Sequence, residues 1–76
     1  MYYVYVLQRK KRKEWYIGYT EDLKRRVKEH SIEYPCELVY YEAYSEERLA
    51  RERERKLKSY GSAWRALKGR IIKRAG

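Results

Sequence analysis

Phenylalanine and asparagine are missing from this 76-residue chain, and cysteine, proline and histidine occur once each. The lone Cys36 cannot form an internal disulfide, which suits a reducing compartment and gives the expectation of a cytoplasmic protein. One His and one Cys cannot assemble a four-ligand structural zinc site without heavy carboxylate help. No apolar run approaches the roughly 18 residues that a membrane span needs. The stretch Met1 to Leu7 lacks the basic lead-in and small-residue cleavage site of a signal peptide, so no membrane partner is expected. Leu, Ile and Val total only 14, a low count that in a highly charged chain often accompanies disorder.

What is present argues for folding. Ten Tyr and two Trp are far more aromatics than a disordered polyelectrolyte carries. Each can remove about 150–250 Å² from water, so the expected core is built from aromatic bodies with wet hydroxyl tips. Seventy-six residues allow one small domain over 1–76, and such a chain buries only about 60% of its unfolded surface. Twenty Lys and Arg against 11 Asp and Glu leave a formal charge of +9. With a pI near 9.8, a nucleic-acid partner becomes the leading electrostatic hypothesis, solubility and general polyanion affinity being the plainer one.

No repeat, linker or low-complexity tract interrupts the chain. Tyr2 to Gln8 alternates as a strand, with Tyr3, Tyr5 and Leu7 on one face and Tyr2, Val4 and Val6 on the other. After the basic tip Arg9 to Lys13, Trp15 to Thr20 resumes β-type residues, which predicts a hairpin. Thr20 or Asp22 can cap a helix from Leu23 to Glu29 or Ser31, with Leu23 and Val27 as its buried stripe and Arg26 and His30 beside them. Pro35 stops regular structure. Glu37 to Tyr44 is a third strand, Leu38, Tyr40 and Tyr44 alternating against Val39, Tyr41 and Ala43. Ser45 can cap a second helix carrying the acid-first pairs Glu47/Arg51, Glu52/Lys56 and Glu54/Lys58. Gly61 fits its stop. Ser62 can open a last helix presenting Trp64, Leu67 and Ile71, and the tail from Lys73 to Gly76 is expected to fray. The order ββαβαα predicts an α+β fold: a small three-stranded mixed or antiparallel sheet flanked by helices.

No phosphate-binding glycine loop, dinucleotide fingerprint, paired-cysteine site or Ser-His-Asp order is present. One set stands out instead: Tyr5, Tyr16, Gly18, Arg26, His30 and a glutamate on the second helix. The hairpin puts Tyr5 and Tyr16 on adjacent strands. Gly18 shares the face of Tyr16 and clears space where a backbone or ligand could approach. Arg26 and His30 stand one helical turn apart. Each also has a plain reading: packing aromatics, a bulge glycine, a surface arginine, a structural histidine, or a Glu54 that merely pairs with Lys58.

At these residues the chain resembles the GIY-YIG nuclease domain. Tyr3-Val4-Tyr5 and, ten residues on, Tyr16-Ile17-Gly18 are followed by Thr20, Asp22-Leu23, Arg26 and His30. The stretch Ala50 to Glu54, continuing to Lys58, is similar to the helix bearing that family's metal-binding glutamate. The likeness runs from Tyr3 to about Lys58 and is nearest to small stand-alone members. The chain differs in having Tyr3 where the family name has glycine, and in lacking any Asn.

The resemblance implies Mg²⁺-dependent (or Mn²⁺-dependent) hydrolysis of DNA, with no small-molecule cofactor. It implies Tyr5 as acceptor of the water proton, Arg26 on the scissile phosphate and Glu54 on the metal. Tyr16 would position phosphate or water, and His30 would orient or relay. Lys10, Lys11, Arg12, Lys13, Gly18, Arg25, Arg51 and Lys58 are the expected nucleic-acid contacts. Geometry separates the glutamates weakly: Glu54 lies roughly 80° and Glu52 roughly 120° from the apolar stripe of Leu49, Ala50 and Leu57. The choice of Glu54 rests mainly on its spacing from Ala50 and to Lys58. A phenol of pKa about 10 is ionised about once in a thousand at pH 7, so a Tyr5 phenolate would need roughly 4 kcal/mol of preferential stabilisation. The alternative is a weak or inactive nucleic-acid-binding module of the same fold, and a third reading is a protein-interaction role.

Overall fold

The computed structural model describes residues 1–12 and 14–75, with backbone alone for 74 and 75. Its elements are β1 (Tyr2–Arg9), β2 (Trp15–Thr20), α1 (Leu23–Glu33), β3 (Cys36–Tyr44), α2 (Glu47–Ser59) and α3 (Gly61–Ala75). The order is the predicted ββαβαα, and the sheet β2-β1-β3 is antiparallel throughout. β1 therefore sits in the middle, paired on both edges.

The alternation of β1 sorts its residues as the sequence predicts. Val4 and Val6 pack with Ala50 and Leu57 of α2 and Leu67 and Ile71 of α3. Tyr5 and Leu7, also buried, face the opposite side, toward α1. α1 has no buried residue of its own, so it covers that side lightly.

β3 departs from simple alternation. Val6 pairs with Tyr40 but Leu7 with Leu38, a bulge that leaves Val39 unmatched. An extra residue resets the side-chain period. Val39, Tyr40 and Tyr44 therefore reach the α2–α3 core, while Leu38 lines the α1 side with Tyr3 and Tyr41. Leu38 and Tyr40, expected on one face, are on opposite ones.

Helix ends supply further corrections. α1 runs on to Glu33, because Pro35 forces the break one residue later: Tyr34 is extended (φ −140°, ψ 122°) and its N–H donates to His30 O at 3.1 Å. Asp22 caps α1, its Oδ1 accepting from Arg25 N at 3.1 Å, and Thr20 Oγ1 accepts from Asp22 N at 3.1 Å. For α2 the cap position is Glu46 rather than Ser45, with no side-chain cap bond. Gly61 does not stop a helix; Tyr60 is the single extended residue, and Gly61 begins α3. The Tyr60 carbonyl accepts from Ala63 and Trp64 at 3.1 and 3.3 Å, so Ser62 is not the cap. α3 stays helical through Ala75, beyond the expected fraying point; Gly76 lies outside the described residues.

α2 is anchored by a polar cluster as well as by its core residues. Glu42 of β3 accepts from Tyr40 Oη at 2.5 Å, Tyr44 Oη at 2.6 Å and Arg53 Nε at 3.0 Å, with Arg53 Nη2 at 3.1 Å. Burial pushes the Glu42 carboxyl up, but the bonds from Arg53, Tyr40 and Tyr44 outweigh it and its pKa is lowered. Tyr44 moves the other way, to about 12, through burial and its bond to the Glu42 carboxylate.

Candidate active site at the Tyr5 hydroxyl

Tyr5 is directly opposite Gly18 across the β1–β2 ladder. Gly18 is buried, and a Cβ built there would run into the Tyr5 hydroxyl and ring. Glycine is required for this close approach and not for an unusual backbone conformation. The space that the missing side chain of Gly18 leaves is thus taken by the Tyr5 ring and hydroxyl.

Two residues along β2 from Gly18, Tyr16 stands on the same face, 46% exposed, with its ring centroid 6.3 Å from that of Tyr5. From α1, His30 closes the triangle: its ring lies 4.6 Å from Tyr16, and its Nε2 is 3.4 Å from Tyr5 Oη. One turn earlier, Arg26 is near enough for its charge to act on the phenol. The Arg26 guanidinium also lies 3.7 Å from Glu29, which Arg25 shares at 3.6 Å.

α2 contributes the carboxylate. Glu54 is the more enclosed of the two candidates, its side chain 24% exposed against 41% for Glu52. Glu52 pairs with Arg48 at 3.3 Å, in place of the expected Lys56. Glu54 meets Lys58 Nζ at 3.3 Å, and that ammonium lies 5.9 Å over the Tyr16 ring. The negative charge of Glu54 also registers at the Tyr5 hydroxyl. Two phenols, an imidazole, a guanidinium and a carboxylate from β1, β2, α1 and α2 therefore share one patch.

The electrostatics of Tyr5 run against a free phenolate. Burial and the neighbouring Tyr16, with a smaller push from Glu54, raise its pKa to about 12 against the opposing pull of Arg26. At pH 7 about one such phenol in 10⁵ is ionised, a cost of about 7 kcal/mol. The resting hydroxyl is a neutral hydrogen-bonding group.

The expected nucleic-acid contacts divide. Lys58 belongs to the patch. Lys11 and Arg12 line a cavity of about 450 Å³ at the hairpin tip, and Lys10 N–H donates to Pro35 O at 3.0 Å. Arg25 is exposed on α1. Arg51 is exposed and lies beside Tyr19 and Glu47, its Nε 3.4 Å from Tyr19 Oη. Lys13 lies outside the described residues.

Sequence reasoning passed over Tyr34, which lines a cavity of about 280 Å³ together with Tyr16 and His30. Its signal was its place just before the proline, where the helix that carries His30 has to end.

The family profile described as the GIY-YIG catalytic domain matches residues 1–66. This chain belongs to the GIY-YIG family. A relative from Haloquadratum walsbyi, a UPF0213 protein, is 34% identical, the match covering 78% of this chain and 75% of the relative. The solution structure of the UPF0213 protein BH0048 from Bacillus halodurans superposes with a TM-score of 0.60 at 30% identity, covering 96% of this chain and 84% of that one. Membership of this nuclease family supports an endonuclease-like role, and no helix among the described residues is long and apolar enough to cross a membrane.

Proposed function

We propose that this GIY-YIG domain is a metal-dependent endonuclease-like enzyme that hydrolyses DNA phosphodiester bonds. The observation that carries the reading is the meeting of Tyr5, Tyr16, Arg26, His30 and Glu54 on one patch of a chain with net charge +9.

The carboxylate oxygens of Glu54 suit a hard divalent ion, and among the described residues no group of three or more His, Cys, Asp or Glu is placed to enclose a metal. Glu54 would hold Mg²⁺ or Mn²⁺, an ion that keeps several waters and takes further ligands from substrate phosphates. Once bound, it would polarise the phosphoryl oxygen and acidify a coordinated water. Lys58, which neutralises Glu54 in the free chain, is then available to a phosphate oxygen. Arg26 offsets the negative charge that builds on the scissile phosphate. Tyr16, the exposed phenol, positions that phosphate.

Tyr5 works as a relay and never as a free phenolate. Its Oη accepts the proton of the attacking water while its own proton passes to His30 Nε2, in the tautomer that leaves this nitrogen unprotonated. The route bypasses the cost of ionising a phenol of pKa about 12.

The test is strand scission of nicked, branched, single-stranded and duplex DNA, with Mg²⁺ and with a chelator. Wild type cuts only with the metal, and Glu54→Gln and Arg26→Ala each lose about a hundredfold or more. Equal cutting by wild type and both variants sinks the site assignment. The enclosure and raised pKa of Tyr5 favour a second reading, a binding module without turnover. Binding with no scission of any substrate selects it.

A further inference from the structure

Two cavities meet at one pair of side chains. The Arg9 guanidinium lies over the Tyr34 ring, 4.0 Å from its centroid, and both residues line both cavities. On one side is the space of about 280 Å³ walled by Leu7, Trp15, Tyr16 and His30. On the other is the space of about 450 Å³ formed with Lys11, Arg12 and Pro35. Arg9 and Tyr34 are therefore a partition between an aromatic cavity adjoining the candidate site and a cationic one at the hairpin tip.

The partition is held in place. Arg9 Nη1 donates to Glu14 Oε2 at 2.7 Å, and Arg9 N–H donates to Glu14 O at 2.8 Å, fixing the root of the tip. The Lys10 to Pro35 bond ties the tip to the turn after α1, and the Tyr34 to His30 bond ties that turn to the helix. Tyr34 is nonetheless 54% exposed, with Arg9 against its ring. An aromatic ring left half open and backed by a cation is a stacking platform for a nucleobase.

The charges assign the two spaces. Glu14, paired with Arg9, and Glu33 rim the aromatic cavity, which is less favourable to a phosphate than the tip and offers carboxylate acceptors to the exocyclic amino groups of a base. Lys11 and Arg12 offer the opposite. A paired base is already stacked within its duplex and cannot present a free face to Tyr34.

We infer that the Arg9–Tyr34 partition binds one unpaired nucleotide beside the scissile bond, its base in the aromatic cavity against Tyr34 and its phosphate among Lys11 and Arg12. The inference rests on the nucleic-acid part of the reading above and narrows the substrate to strands with an unpaired nucleotide at that place.

The experiment measures binding by fluorescence anisotropy in chelator at fixed salt. The probes are a single-stranded oligodeoxynucleotide, the oligoribonucleotide of the same sequence and a blunt DNA duplex of the same length. Wild type binds at least one single strand more tightly than the duplex, and the tighter of the two identifies the sugar preferred. Tyr34→Ala weakens single-strand binding roughly tenfold to a hundredfold, with duplex binding within about twofold of wild type. Tyr34→Phe keeps the single-strand preference, and Tyr34→Leu, apolar but without a π face, loses it. If Tyr34→Ala does not fold, the Phe and Leu variants decide. Single strands bound no better than duplex, or a Tyr34 variant that weakens all probes alike or none, overturns the inference. Tyr34-dependent single-strand binding by a chain that never cuts sinks the hydrolytic reading and leaves this one intact. Metal-dependent cutting with Tyr34→Ala binding unchanged does the reverse.

Discussion

The hydrogen atom that Gly18 carries in place of a side chain decides how close β2 comes to the Tyr5 phenol. An added methyl would meet the hydroxyl and ring carbons, and Tyr5, with 1% of its surface exposed, has little room to move away. Gly18→Ala should therefore destabilise by about 1–3 kcal/mol, the usual cost of overpacking a core, visible as a lower thermal midpoint. It should also slow cleavage more than the stability loss explains, because the Tyr5–His30 contact depends on the ring's position. An unchanged midpoint would mean that the sheet separates there at no cost.

At the scale of elements, α2 carries Glu54, and the Glu42–Arg53 cluster ties that helix to β3 from a face about 100° round the axis from Glu54. The lowered pKa of Glu42 gives the cluster a pH signature. Its stabilisation is present above the unfolded value near 4.5 and is lost as pH falls through the lower folded one. Tyr5 and Tyr44, raised to about 12, contribute stabilisation that is present below about 10 and is lost as pH climbs through 12. Chemical denaturation across pH should show both limbs. Glu42→Gln should flatten the acid limb. Arg53→Ala, which leaves a half-buried carboxylate with two phenols for company, should cost about 1–3 kcal/mol at neutral pH. The ion pairs on the open faces of α1 and α2 should contribute little by comparison.

For the molecule as a whole, the net charge of +9 sets how strongly any polyanion is held. The logarithm of the duplex association constant should fall linearly with log salt, with a slope of about −0.9 per phosphate neutralised. Lys11→Ala and Arg12→Ala should each reduce that slope by about one. A slope indifferent to both would remove the hairpin tip from the interface.

The alternating β1, the hairpin, the Asp22 cap and the ββαβαα order were legible in the amino acids, because period, capping and turn chemistry are local. Tyr5, Tyr16, Arg26, His30 and Glu54 were legible as a set only through a family pattern of residue types and offsets. Their separation in the chain carries no distance by itself. Tertiary structure alone decided the β3 bulge that sends Leu38 and Tyr40 to opposite faces, since strand register depends on what lies alongside. It also decided that Gly18 makes room for Tyr5, and that burial raises this phenol's pKa where a simple base would need it lowered. Nor could Arg9 and Tyr34 be read as a pair, since they meet only when the hairpin tip folds back onto the turn at Pro35. A chain encodes preferences of single residues and short spacings; desolvation and contact between remote side chains exist only after the sheet and helices have closed around them.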